Sequence, residues 1–133
     1  MSNEPAPMTH RPHPFADLLG LRFVRRGKGT SECALEATNA LHNPQGVLHG
    51  AAFYALADTA MGGALYTLLE PGEGCATVQI GITYFAPVVE GELQCKCRVI
   101  HKGKRMATLE ADLSQADKLV AKALGTFTVI PRK

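Results

Sequence analysis

Residues 43–69 read NPQGVLHGAAFYALADTAMGGALYTLL, and how this stretch is read decides the fold. From Ala51 to Leu69 it forms one helical run, apolar on nearly every face, with Asp58 its only charge. A helix that is apolar all round must be covered all round. At 1.5 Å per residue, a run of about 20 residues is about 30 Å long, close to the span of a bilayer. The run is nevertheless rich in Ala and Gly rather than Leu and Ile, and the chain has no Trp for an interfacial belt. An Asp at the centre would cost roughly 2.5–3.5 kcal/mol on insertion scales. The run therefore reads as the buried axis of a domain and not as a membrane span.

Extended segments flank this axis. PFADLLG (14–20) reads as a short helix or turn ending at Gly20, and LRFVRRGKGTSECALEAT (21–38) as two strands about the Gly27-Lys28-Gly29 turn. Residues 39–48 read as loop, and EPGEG (70–74) breaks the chain after the helix. Four alternating stretches follow. In CATVQIGITYFAP (75–87), Val78, Ile80, Ile82 and Tyr84 alternate with Thr77, Gln79, Gly81 and Thr83. GELQCKCRVIHKG sets Leu93, Cys95, Cys97 and Val99 against Gln94, Lys96 and Arg98, and KRMATLEADLSQAD sets Ala107, Leu109, Ala111 and Leu113 against Met106, Thr108, Glu110 and Asp112. KLVAKALGTFTVIP closes the series, with HKGK and SQADK as hairpin turns. Period-2 patterns of this kind belong to half-exposed antiparallel strands. Two strands, one helix and four strands make an α+β chain, and strands of nine or ten residues match the helix in length. A curved antiparallel sheet wrapped around one central helix meets both constraints. Its open edges and partly uncovered helix predict a dimer.

The 133 residues suffice for one core, and 46% are hydrophobic. The proline-rich segment 1–14 reads as a flexible lead-in, His10 and His13 included, and residues 15–133 as a single domain. The formal net charge is only +2 with basic residues dispersed, so nucleic acid is not an expected partner. Cys33, Cys75, Cys95 and Cys97 lack zinc-site spacing and read as packing or surface thiols. With no apolar signal segment at the start, a cytoplasmic setting is expected.

Asp58 has no Lys or Arg on its helix face to pair with. Such a carboxylate must find donors, meet water or stay protonated, and it is open to two readings: an acid in a crevice, or a base or nucleophile at an interface site. His49 lies nine residues earlier, about 180° away around the helix, so the two cannot form a same-helix dyad. His49 reads as fixing the loop by a hydrogen bond. Gly50 stands at the helix start, where backbone N–H groups lack partners and the dipole is positive. It is either an ordinary cap or the donor of an oxyanion hole. Asn43-Pro-Gln45-Gly46 is turn chemistry.

Taken together, Asn43-x-x-Gly46-x-Leu48-His49-Gly50 followed by Asp58-Thr59-Ala60 resembles the hotdog-fold acyl-CoA thioesterases, with the phenylacetate-degradation type as the nearest branch. TVQIGITYFAPV and KLVAKALGTFTV are similar in kind and order, and the resemblance extends over residues 15–130. It implies a sheet wrapped round the long helix, and dimers that pair into tetramers with sites between subunits. It implies that Asp58 activates water or attacks the thioester carbonyl, and that the Gly50 N–H polarises that carbonyl. Asn43 and Thr77 would position thioester or water, with Asp58 contributed by the subunit opposite Asn43 and Gly50. Gln45 and His49 fall on the substrate side, and Lys102, Lys104 and Arg105 could meet the phosphates of coenzyme A or be a solvated turn. No metal or other cofactor is implied. One departure stands out: Ala51 occupies the place of the usual second Gly, which narrows the approach. Two other readings share the fold. One is a non-catalytic, regulatory acyl-CoA-binding protein; the other is a hydratase, which would need His and Asp to act together.

Overall fold

The computed structural model describes residues 13–132, so the expectation for the lead-in lies almost wholly outside the described residues. The elements run α1 (Pro14–Leu19), β1 (Arg22–Gly27), β2 (Thr30–Glu36), a 3-10 turn (Asn39–Leu41), α2 (Gly50–Tyr66), β3 (Glu73–Tyr84), β4 (Glu92–Lys102), β5 (Met106–Gln115) and β6 (Lys118–Pro131). The six strands form one antiparallel sheet in the order β1-β2-β4-β5-β6-β3, with α2 against its concave face. The fold expected from the alternation patterns is the one observed.

The inward side chains are those the period-2 patterns select: Leu35 on β2, Leu93 on β4, Leu109 and Leu113 on β5, and Phe127 on β6 are all buried. They meet a helix face built from Ala52, Ala57, Ala60 and Ala64 with Phe53, Leu56, Met61 and Leu65. The small residues let the sheet come close. A side chain at Gly63 would lie 2.5 Å from the Phe23 ring, and one at Gly125 would lie 2.6 Å from the Met61 sulfur. Cys33 faces Cys95 across β2 and β4 with Cys97 nearby, and all three thiols are free and buried. Burial pushes Cys33 and Cys97 up to about 12, so they act as packing residues.

Two expectations need correction. The helix ends at Tyr66 rather than Leu69. There the Thr67 hydroxyl donates to the Ala64 carbonyl at 2.7 Å and accepts the Gly29 N–H at 2.7 Å, which ties the β1–β2 turn to the helix end. As expected of a single wrapped sheet, part of α2 stays uncovered. Ala51, Tyr54 and Tyr66 are exposed, and Asp58 and Gly62 half-buried, leaving an open stripe at helical spacing. Second, the alternation in β3 is broken by a bulge. Thr77 pairs with Phe127 and Gln79 with Thr126, so Val78 has no partner on β6. The extra residue brings Thr77 onto the same face as Ile80, and Val78 is left 55% exposed. Among the described residues no helix is long and apolar enough to cross a membrane.

Candidate active site

The start of α2 is shaped by its cap. His49 is extended at φ −61°, ψ 137°, and its Nδ1 accepts the Ala51 N–H at 2.9 Å. Because Nδ1 is an acceptor, the neutral ring carries its proton on Nε2. The His49 carbonyl takes the Ala52 N–H at 2.9 Å, and the His49 N–H donates to the Leu41 carbonyl at 2.9 Å. Thus the hydrogen bond expected of His49 is present as a helix cap. Among the described residues the Gly50 N–H makes no hydrogen bond, and it stands at the positive end of the helix dipole.

The loop before the cap is held by Asn43. Its Oδ1 accepts the N–H groups of Gln45 at 2.9 Å and Val47 at 3.4 Å, while its own N–H donates to the Val47 carbonyl at 2.8 Å. Gly46 closes the turn at φ 79°, a conformation that suits glycine. The Asn43 side-chain oxygen is therefore engaged, and its amide NH2 is the part left to donate elsewhere. Beside this loop and Gly50 lies a cleft of about 350 Å³, lined by Leu48, Phe53, Tyr84, Phe85 and Pro87. The rings of Phe53 and Tyr84 meet edge to face, with centroids 5.1 Å apart.

Two turns along α2, Asp58 sits on the open stripe, half-buried and without an ion pair among the described residues. The Thr77 hydroxyl donates to its Oδ1 at 2.7 Å. That contact exists because the bulge at Val78 turns Thr77 inward. Cys75, two residues before Thr77 on β3, shares this corner: burial raises its thiol pKa, and the negative Asp58 raises it further.

One chain brings Asp58 and Thr77 together, and it brings His49, Gly50 and the Asn43 turn together. It does not join the two groups. Eight residues of helix separate Gly50 from Asp58, about 12 Å along the axis, too far for both to act on one carbonyl. Lys102, Lys104 and Arg105 lie at the β4–β5 hairpin, and the Arg105 carbonyl accepts the Val129 N–H at 2.7 Å. Val129 pairs with Cys75, so this basic hairpin lies near the Asp58 end of the sheet. Near the end of β1, Arg26 lies over the rings of Phe23 and Tyr66. Sequence reasoning missed Cys75 as a neighbour of Asp58, and missed Tyr84, whose hydroxyl donates to the Gly50 carbonyl at 2.6 Å. Neither carries a local sequence signal, since each contact is made across the fold.

Residues 45–122 match the family model described as the thioesterase superfamily. The proofreading thioesterase EntH of Klebsiella pneumoniae is 30% identical over 92 residues, which cover 69% of this chain and 67% of that protein. Conserved protein PA5202 of Pseudomonas aeruginosa superposes with a TM-score of 0.86 at 37% identity, covering 90% of this chain and 95% of that one. A mutant of the phenylacetic acid degradation protein PaaI of Thermus thermophilus gives 0.81 at 27% identity, covering 87% and 98%. With its hotdog fold and PaaI-like relatives, the chain belongs to the thioesterase superfamily and is a thioester hydrolase.

Proposed function

We propose that the protein hydrolyses an aromatic or medium-chain acyl-CoA to the free acid and CoA, at sites shared between two copies of the chain. The observation that carries this reading is the pair of half-sites on α2: a free N–H at Gly50, and at Asp58 a carboxylate held by Thr77. Thr77 occupies Oδ1, which leaves Oδ2 to act. As a general base it takes a proton from water, and the resulting hydroxide attacks the thioester carbonyl. The oxyanion forms against the Gly50 N–H and the helix dipole. Collapse then breaks the C–S bond, and the thiolate takes up the proton. As a nucleophile, Asp58 would instead form an anhydride that water opens. Single turnover in oxygen-18 water separates the two, because only the nucleophilic route leaves label in the Asp58 carboxylate.

The apolar, aromatic cleft beside Gly50 suits a flat or medium-length acyl group. The Asn43 amide, Gln45 and the His49 Nε2–H lie on the loop side of that carbonyl, where they can position the thioester. Lys102, Lys104 and Arg105 supply positive charge for the CoA phosphates. The copies would form a dimer and pair further into a tetramer, in the reducing cytoplasm that four free thiols suit.

Release of free CoA thiol from a panel of acyl-CoAs tests the reading. Asp58→Ala should lower kcat roughly 10²–10⁴-fold with the fold intact. Turnover that survives this change undiminished would remove Asp58 from the mechanism. Tight acyl-CoA binding by the wild-type protein with no turnover would favour the regulatory binding protein instead.

A further inference from the structure

We propose that Tyr84 is a positioning residue that fixes the Gly50 N–H by clamping the first turn of α2 to the end of β3. The inference rests on the reading of Gly50 as the carbonyl donor. A donor that stabilises an oxyanion must be oriented before the charge develops, and glycine is the residue least able to hold a backbone orientation by itself. Two bonds at this helix start come from its own cap: Ala51 N–H to His49 Nδ1, and Ala52 N–H to the His49 carbonyl, each 2.9 Å. The third comes from 34 residues away. The Tyr84 hydroxyl donates to the Gly50 carbonyl at 2.6 Å.

With this bond the Gly50–Ala51 peptide is held from outside the helix ladder at both ends: Tyr84 adds to the helix's own bond on its oxygen, and His49 takes its N–H. The remaining freedom of Gly50 is blocked by the ring itself. A side chain placed on Gly50 would lie 3.2 Å from the Tyr84 oxygen and 3.3 Å from the carbon bearing it. The ring thus fills the space a side chain would take. It is braced in turn by its edge-to-face contact with Phe53, which is buried one turn further along α2. Tyr84 also lines the acyl cleft, so one side chain bounds the cleft and sets the direction of the donor.

Tyr84→Phe removes the hydroxyl and keeps the ring, the Phe53 contact and the cleft wall. Expected is a fall in kcat of about tenfold with KM within about twofold of wild type, because a misdirected donor is felt in the transition state. Amide exchange at Ala51, read by NMR on the folded protein, should accelerate about fivefold or more as the peptide loses its anchor to β3. Tyr84→Leu, which also removes the wall, should raise KM in addition. The proposal is overturned if Tyr84→Phe leaves kcat and Ala51 exchange unchanged, or if its whole effect falls on KM. A wild-type protein that hydrolyses no thioester would sink the proposed function. The exchange measurement would then still decide the clamp, since unchanged exchange overturns it independently of turnover.

Discussion

The Gly50 N–H can be deleted without deleting the helix it begins. Gly50 is the first residue of α2, the position at which proline is best tolerated, because an N–H there has no partner within the helix. His49 before it sits at φ −61°, ψ 137°, the extended geometry that a residue preceding proline adopts. The proline ring would press on Tyr84 by a few tenths of an ångström, since a Cβ at this site lies 3.2 Å from the Tyr84 oxygen. Gly50→Pro should therefore keep its helical circular dichroism and lose turnover roughly 10²–10³-fold, the usual effect of removing one oxyanion donor. Gly50→Ala is the matched control, because it adds the same crowding and keeps the N–H. Equal losses in the two variants would assign the effect to crowding of Tyr84 rather than to the missing donor.

Among the elements, the β5–β6 hairpin carries the clearest local strain. Its two turn residues, Ala116 and Asp117, take φ values of 49° and 66°, the left-handed pair of a type I′ turn. Alanine gains nothing there to offset the clash of its Cβ, whereas Asn and Gly adopt this geometry readily. Ala116→Asn combined with Asp117→Gly should stabilise the fold by about 1 kcal/mol, read as a higher urea midpoint at unchanged m-value. An unchanged or lower midpoint would show that the turn is not the strained point. Strands such as β4 and β5 were legible in the sequence because most inward residues are flanked by polar ones, as Leu93, Cys95 and Cys97 are by Gln94 and Lys96. The β3 bulge was not, because Val78 is as apolar as the inward residues it is displaced from. Alternation alone therefore set Thr77 opposite Ile80, while the resemblance set it at the site. The helix end was misread because what stops it, the Thr67 hydroxyl reaching Gly29, is a tertiary contact. Asp58 could be singled out in the sequence because a lone charge on an apolar helix needs a reason. Tyr84 could not, because an aromatic residue at a strand end is common and its partner lies 34 residues away.

At the scale of the whole molecule, the open stripe on α2 and the two edges of the sheet bear on one question: whether a complete site needs two chains. The edges are unlike. β1 carries Arg22, Arg25 and Arg26, charges that discourage pairing. β3 is twelve residues long, has no charged residue from Cys75 to Tyr84, and exposes Val78. Such an edge invites a second copy, and a twofold axis beside it would carry the open stripe of one helix toward the other. The half-sites about 12 Å apart on each helix could then be completed in trans, Gly50 of one copy with Asp58 of the other. A mixing experiment decides this. Asp58→Ala and Gly50→Pro proteins, each nearly inactive alone, are unfolded together in equal amounts and refolded. If sites form in trans, every mixed dimer holds one intact site and one doubly defective site. Random pairing makes half of the dimers mixed, so about one quarter of wild-type activity should return. If each site is built within one chain, every site in the mixture still carries one defect, and no activity beyond the parents' residual level returns.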